Sequence, residues 1–512
     1  MRTRTYQRLA RRQRRIAHRL GPIRWTAQAA PMFAARNIHY DLSARTRGLD
    51  AGGIGAIQRL VRHTGLVEAI DHHVRVLKVH LPYHESDHVL GIAYNLLTGG
   101  TCLQDIERRR QDEVYLDALG AQRIPDPTTA GDFCRRFDPG SLEALQTAIN
   151  ETRVRVWQTQ PAAFFDEAFL EADGTVAETT GACKDGMDIA YNGTWGSHPL
   201  VVSLANTAEP LFVVNRPGNR PSAEGATERF DQAIGLCRHA GFRRVTLRGD
   251  TDFTQTRHLD RWHADRVRFI FGADARANVV RLADALPDTA WTPLTRPAPY
   301  TVATTPRQRP VNVKAAVIRA RGFRNLPLQG EAVAEFAYRP TACARAYRMV
   351  VVRKTIAVEE GILRLFDETR YFFYVTNDTV TPAAEIVFLA NDRCHQENLI
   401  DQLKHGVSAM RMPVDTLLSN GAYMVMAALA WTLKAWFALR LPVRAGRWAA
   451  RHAAERDTVL RMEFKAFVHA FLLIPAQLIR TSRRLLFRLL AWNPRQRVLL
   501  RGLEAWRAPL RC

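Results

Sequence analysis

Three acidic residues in three different settings carry the candidate chemistry of this 512-residue chain. Asp173 closes an apolar run in Ala163-Phe-Phe-Asp-Glu-Ala-Phe-Leu-Glu-Ala-Asp-Gly-Thr175. Asp250 closes another, Arg243-Arg-Val-Thr-Leu-Arg-Gly-Asp250, just before Thr-Asp-Phe253. Glu397 lies in Asn391-Asp-Arg-Cys-His-Gln-Glu-Asn-Leu-Ile-Asp-Gln-Leu-Lys404, which reads as a helix. Two strand ends and one helix can bring carboxylates together, and converging carboxylates hold divalent cations. Two such ions activate water and stabilise the leaving oxygen in phosphoryl transfer. The donors are hard oxygens, so Mg2+ is the expected ion, with Mn2+ as a substitute.

Each acid alone is weak evidence. Asp-Gly and Gly-Asp are ordinary turn chemistry, and Arg393 with Glu397 four residues on is a common surface pair. Together they say more, because each aspartate follows an apolar strand. Spacings of four and seven also set Arg393, Glu397 and Lys404 near one helix face. Asp166, Glu167, Glu171, Asp252 and Asp401 compete, and rank behind the three as supporting or salt-bridged groups. A lone histidine such as His198 is more often structural than a ligand. Arg216-Pro-Gly-Asn219 reads as a shaped loop after a strand, with contact to DNA as the alternative.

The net charge of +22 is carried almost entirely by arginine. Arginine binds phosphate bidentately, so the phosphodiester expected of this chain is DNA, bound with strong salt dependence. A GC-rich coding sequence would also enrich arginine. The seven cysteines form no CxxC pair, which excludes a zinc-finger or redox motif and fits a reducing cytoplasm. No Walker loop is present, nor a GxGxxG opening a helix, so no nucleotide cofactor is expected. Residues 1–25 hold nine arginines and no acid. They read as a basic arm, unfolded without DNA, and not as a signal peptide. The longest apolar stretches, near Ala422–Trp431 and Ala466–Ile479, read as buried helices too short for a bilayer of about 30 Å.

The elements that must position the acids follow from periodicity. Residues 50–157 read as helical, with a helix start at Asp126-Pro-Thr-Thr129. Strands are expected at Phe164–Ala172, Pro199–Ala205, Leu211–Val214, before Asp250 and at Phe269–Phe271, with a helix over Ala226–Ala240. Val311–Arg319, Val333–Tyr338, Tyr347–Ile356 and Ile362–Phe366 are strand-like and suggest a β-rich insertion. Arg370–Thr376 returns to the main sheet, and an apolar helix spans Leu418–Leu439. The expected division is a basic arm and helical DNA-binding region at 1–157, a core at 158–275, the insertion at 276–368, the second part of the core at 369–444, and a basic helical region at 445–512.

Glu171-Ala-Asp-Gly-Thr175, Gly196-Ser-His-Pro-Leu200, Asn215-Arg-Pro-Gly-Asn219 and Arg248-Gly-Asp-Thr-Asp-Phe253 occur in an order that resembles bacterial insertion-sequence transposases with a group 1 DDE domain. Arg393, Glu397 and Lys404 fit the Tyr-x2-Arg-x3-Glu-x6-Lys signature of related cut-and-paste transposases; the tyrosine position holds Ala390. The resemblance implies an α/β, RNase H-like catalytic core with a β-rich insertion, flanked by helical N- and C-terminal regions. It implies Asp173, Asp250 and Glu397 as catalytic and metal-binding residues, and Arg393 and Lys404 as holders of the transposon-end backbone. It implies transposon ends and target DNA as partners, a homodimer in the synaptic complex, no membrane, and action in the bacterial cytoplasm at the nucleoid. Family members can pass through a hairpin intermediate. A catalytically silent or domesticated DNA-binding protein is the alternative, or a metal-dependent nuclease without strand transfer.

Overall fold

The computed structural model describes residues 3–21, 46–296, 313–361, 363–481 and 484–506, with isolated positions between 32 and 43. Its centre is a twisted mixed sheet. The first strand, β1 (Ala168–Gly174), pairs antiparallel with β2 (Leu200–Leu204), which pairs antiparallel with β3 (Glu209–Val214). Helix α1 (Ala226–Ala240) leads to β4 (Val245–Gly249), parallel to β1, and then to β5 (Arg268–Ala273), parallel to β4. The order β3-β2-β1-β4-β5, antiparallel on one side of β1 and parallel on the other, is that of an RNase H-like core.

Strand β1 shows how sequence sets the site. Side chains alternate along a strand. Ala168, Leu170 and Ala172 are wholly buried on one face. Phe169, Glu171 and Asp173 therefore share the other, and a buried glutamate there demands a partner.

Three long strands extend the sheet beyond β5: β6 (Leu328–Tyr338), β7 (Tyr347–Glu360) and β8 (Leu363–Thr376), in the order β6-β7-β8-β5. The β-rich reading of this stretch is correct for these three and wrong for one segment. Val313–Ala320 is a helix, because Ala, Lys and Arg supply five of its eight residues and favour helix over strand. Ile362–Phe366 and Arg370–Thr376 are not separate strands either. Apart from Ile362, which lies outside the described residues, they belong to the single strand β8, whose polar middle stays paired, with Glu368 opposite Ile356. The first strand also starts later than expected, since Ala162–Phe165 is a 3-10 turn.

Two further expectations change. The amino-terminal arm is helical over Thr3–Arg19. The carboxy-terminal region contains a hairpin, Ala476–Thr481 with Arg484–Leu489, where a helix was expected. Its alternation of Leu485, Phe487 and Leu489 has period two, and Leu478 pairs with Phe487.

After the sheet come α2 (Ala383–Asn391), α3 (Cys394–Asp401) and α4 (Leu417–Leu439). At 23 residues, with an 18-residue window of mean hydropathy 1.4, α4 is long and apolar enough to cross a membrane, contrary to the shorter stretch read from sequence. Its apolar window is 100% buried within the fold, so it is the central core helix.

What anchors α4 is Glu209 at the start of β3, which is 0% exposed. It accepts from Arg153 Nε at 3.1 Å, Trp157 Nε1 at 2.9 Å, Trp436 Nε1 at 2.9 Å and Thr207 Oγ1 at 2.7 Å. One carboxylate thus joins the helix Pro139–Trp157, the sheet and α4. The last helix of the amino-terminal region is bound into the core through this network. Glu209→Gln keeps the volume but leaves Arg153 buried without a counter-charge. We expect it to cost about 3–5 kcal/mol in urea unfolding. A loss below about 1 kcal/mol would show that the network does not hold the three elements together.

Candidate active site

The three acids meet at one end of the sheet. Asp173 is the penultimate residue of β1, Asp250 follows β4 directly, and Glu397 stands on α3. The neighbouring β1 and β4 are in parallel register, with Glu171 opposite Arg248, so their ends present the two aspartates side by side. Two glycines make this possible. A Cβ on Gly174 would lie 2.8 Å from His198 Nε2, and one on Gly249 would lie 2.7 Å from the Cβ of Phe253. The backbone amide of Asp252 donates to Asp250 Oδ1 at 3.0 Å and fixes its rotamer.

Helix α3 is fastened by Gln396. Its amide nitrogen donates to Val201 O at 3.0 Å, and its amide oxygen accepts from Ser203 Oγ, both on β2. Gln396 is 1% exposed, so the helix is bolted to the sheet one residue before Glu397. The segment expected as one helix is broken. Arg393 lies in the turn between α2 and α3, and Lys404 lies in a π-helical turn, Gln402–Gly406. Such turns recur at functional sites.

Beneath the aspartates, Arg248 ties three segments together. Its guanidinium pairs with Glu171 at 2.6 Å, donates to Leu389 O at 2.8 Å at the end of α2, and stands 4.7 Å from the centre of the Phe169 ring. Both side chains of the Arg248–Glu171 pair are almost fully buried. Burial pushes Glu171 up to about 7, against the pull of Arg248 and Arg393. Arg248 was quoted in the sequence only as part of a motif. The usable signal was the in-register pairing of two strands, each with one charge pointing to the same face.

Arg393 enters the carboxylate group itself. Its guanidinium is 3.2 Å from Asp250 Oδ2 and 4.0 Å from Glu397 Oε1. Burial raises Asp173 to about 6; Arg393 pulls it down, while Asp250 and Glu397 push it up. Asp173 therefore feels both of the other acids. Lys404 also faces this group: burial lowers its pKa, and Asp401 and Asp173 raise it. Among the described residues no three acidic, histidine or cysteine side chains close into a ready metal cage. Three like charges repel, and Arg393 stands between two of them. The donor set is nonetheless all hard oxygen and suits a divalent cation.

His198 is 1% exposed, and its Nδ1 is 2.8 Å from Arg220 O. Arg216 shapes its loop by donating to the carbonyls of His198 at 2.9 Å, Pro221 at 3.2 Å and Ser222 at 3.2 Å. Of the competing acids, Glu167 pairs with Arg244 at 3.3 Å and Arg268 at 3.0 Å, and Asp166 pairs with Arg243.

The raised Asp173 has a consequence for stability. Its carboxyl titrates near 3.8 when unfolded and at about 6 when folded. Between those values the folded state binds more protons, so stability falls as pH rises through the window. In chelator, Asp173→Asn should remove up to about 3 kcal/mol of that decline. The check is the urea midpoint of both proteins from pH 4 to 7. A difference that does not grow with pH would show that Asp173 is not held this way.

No curated protein sequence matches the chain significantly. A cryo-EM structure of a piggyBac transposase synaptic complex with hairpin DNA aligns over 83% of this chain and 81% of that one, at 10% identity and a TM-score of 0.33, a likeness too low to carry an argument. The family profile described as transposase DDE domain group 1 matches residues 48–508, and with 461 of 512 positions covered the chain belongs to that family, whose general chemistry is phosphoryl transfer on DNA.

Proposed function

We propose that this chain is the transposase of a bacterial insertion sequence. It binds the terminal inverted repeats, cleaves the DNA there, and joins the freed 3′-hydroxyl to target DNA. It acts as a homodimer in the synaptic complex, in the cytoplasm. The observation that carries this reading is the meeting of Asp173, Asp250 and Glu397 around Arg393 at the ends of two parallel strands.

The roles follow from the surroundings. Asp173, Asp250 and Glu397 would hold divalent cations, Mg2+ or in substitution Mn2+, which when bound would supply water activation and charge neutralisation at the leaving oxygen. Asp250 keeps its orientation through the Asp252 amide. Arg393 is paired with carboxylates here. Its fork suits a bidentate phosphate once those acids are otherwise neutralised. Lys404 adds a second cation beside Asp173. Positioning and charge neutralisation are what phosphoryl transfer asks of a protein.

Asp173→Asn, Asp250→Asn and Glu397→Gln should each abolish cleavage of end-containing DNA, a loss of at least about a hundredfold, while end binding survives. Gel assays of cleavage and binding with the full chain test this, and normal cleavage by any variant would remove that residue from the site. Joining of a pre-cut end to a plasmid separates a transposase from a nuclease; absence of cleavage by the wild type under any divalent metal would leave a silent DNA-binding protein.

Arg393→Ala and Lys404→Ala each remove about one phosphate contact. The slope of log affinity against log salt should fall by about 0.9 for each. Unchanged slopes would confine both residues to intramolecular pairing.

A further inference from the structure

The helix Thr3–Arg19 holds seven arginines and no acid in its 17 residues. Five of them, Arg4, Arg8, Arg11, Arg15 and Arg19, recur at intervals of four, three, four and four. At about 100° per residue they fall within roughly 80° of arc, and at about 1.5 Å rise they make a stripe roughly 22 Å long. All five are exposed, and none makes an ion pair or side-chain hydrogen bond with another described residue.

The opposite face is already occupied. Leu9 is 8% exposed, and Arg497 from the last helix stands 4.7 Å from the centre of the Tyr6 ring. On the flank of the stripe, Arg12 donates to Leu489 O at 3.2 Å and Ala491 O at 3.4 Å, at the end of the carboxy-terminal hairpin. The helix is therefore docked with its arginine stripe facing out. A bilayer-binding amphipathic helix needs a free apolar face, which this helix has spent on the fold. An unfolded basic tail has no fixed spacing; this stripe has one. Beside the helix a cleft runs from Tyr6 to Trp448, which is 41% exposed; its arginines Arg444, Arg451 and Arg501 are paired with Glu504 and Glu455, so among the described residues the stripe is the unpaired basic surface at this place.

We propose that this docked amino-terminal helix is a rail for the phosphates of duplex DNA, acting without regard to sequence. The ligand must be a regular line of anions, and duplex DNA presents one charge per about 1.7 Å along its axis. The proposal rests on DNA being the partner, as proposed above. It adds a contact surface outside the carboxylate site and outside the Arg393–Lys404 segment.

The test is binding of the full chain to a random-sequence duplex over a salt series. Replacing Arg8, Arg11 and Arg15 together by Ala should lower the log–log salt slope by about 2.7, at about 0.9 per contact. A second triple variant, Arg281→Ala with Arg324→Ala and Arg339→Ala, removes the same charge from exposed positions elsewhere and should leave the slope within about half a unit. An unchanged slope in the first variant, or an equal fall in both, overturns the rail. So does loss of binding to phosphatidylserine vesicles without loss of binding to DNA. Because the duplex is random and no cleavage is read, a wild type that binds with the expected slope but never cleaves ends would sink the transposase reading and leave the rail standing.

Discussion

The site depends on one buried ion pair. Arg248 and Glu171 face each other across β1 and β4, two residues before Asp250 and two residues before Asp173. Burying two charges costs more than their attraction returns unless the geometry is good and further partners are present. Here Arg248 has them: the carbonyl of Leu389 and the face of Phe169. The Leu389 contact matters most for the geometry of the site, because it brings the end of α2 onto the strands. The turn after α2 then delivers Arg393, and α3 delivers Glu397. One guanidinium thus connects the three chain segments that carry the three acids, although they are far apart in sequence.

This arrangement stores unfavourable electrostatics at the sheet end. Asp173 is pushed up by burial and by its two acidic neighbours, and Glu171 is pushed up by burial just below. Arg393 is the internal counter-charge. A group of acids held together by the backbone and only partly neutralised gains stability from any added cation. In the proposed reaction the acids would not have to be gathered, since Gln396, the Asp252 amide and Gly174 already fix them. Preorganisation of this kind is where enzymes find most of their electrostatic advantage.

The parts that were legible in sequence share a cause. Strands β2 to β5 and helix α1 have unmixed periodicity and turn residues at their ends, so local pattern and tertiary demand agree. The acids at strand ends were visible for the same reason. The misread parts are those where one signal has two meanings. Val313–Ala320 holds β-branched residues among helix formers. The Arg-rich hairpin at 476–489 looks amphipathic at either period when only ten residues are read. The break at Arg393 leaves no local mark, because Asn391-Asp-Arg-Cys is compatible with helix, and the break is imposed by Gln396 reaching β2 and Arg248 reaching Leu389. Neither of those long-range contacts has a local signature.

Arginine does two different jobs in this chain, and net charge alone does not separate them. Arg153, Arg216 and Arg248 are buried, each spending its donors on a carboxylate or on backbone carbonyls. They hold helices and loops to the sheet and contribute little to the outward field. Arg4, Arg8, Arg11, Arg15 and Arg19 are exposed and spend theirs on no described residue. An excess of +22 therefore overstates how many phosphates can be met at once. A codon-driven surplus of arginine would be indifferent to place. These residues are not: the buried ones meet partners on other elements, and the exposed ones on the first helix share a face opposite the one that docks. Placement, more than number, separates the arginines that build the fold from those it leaves on the surface.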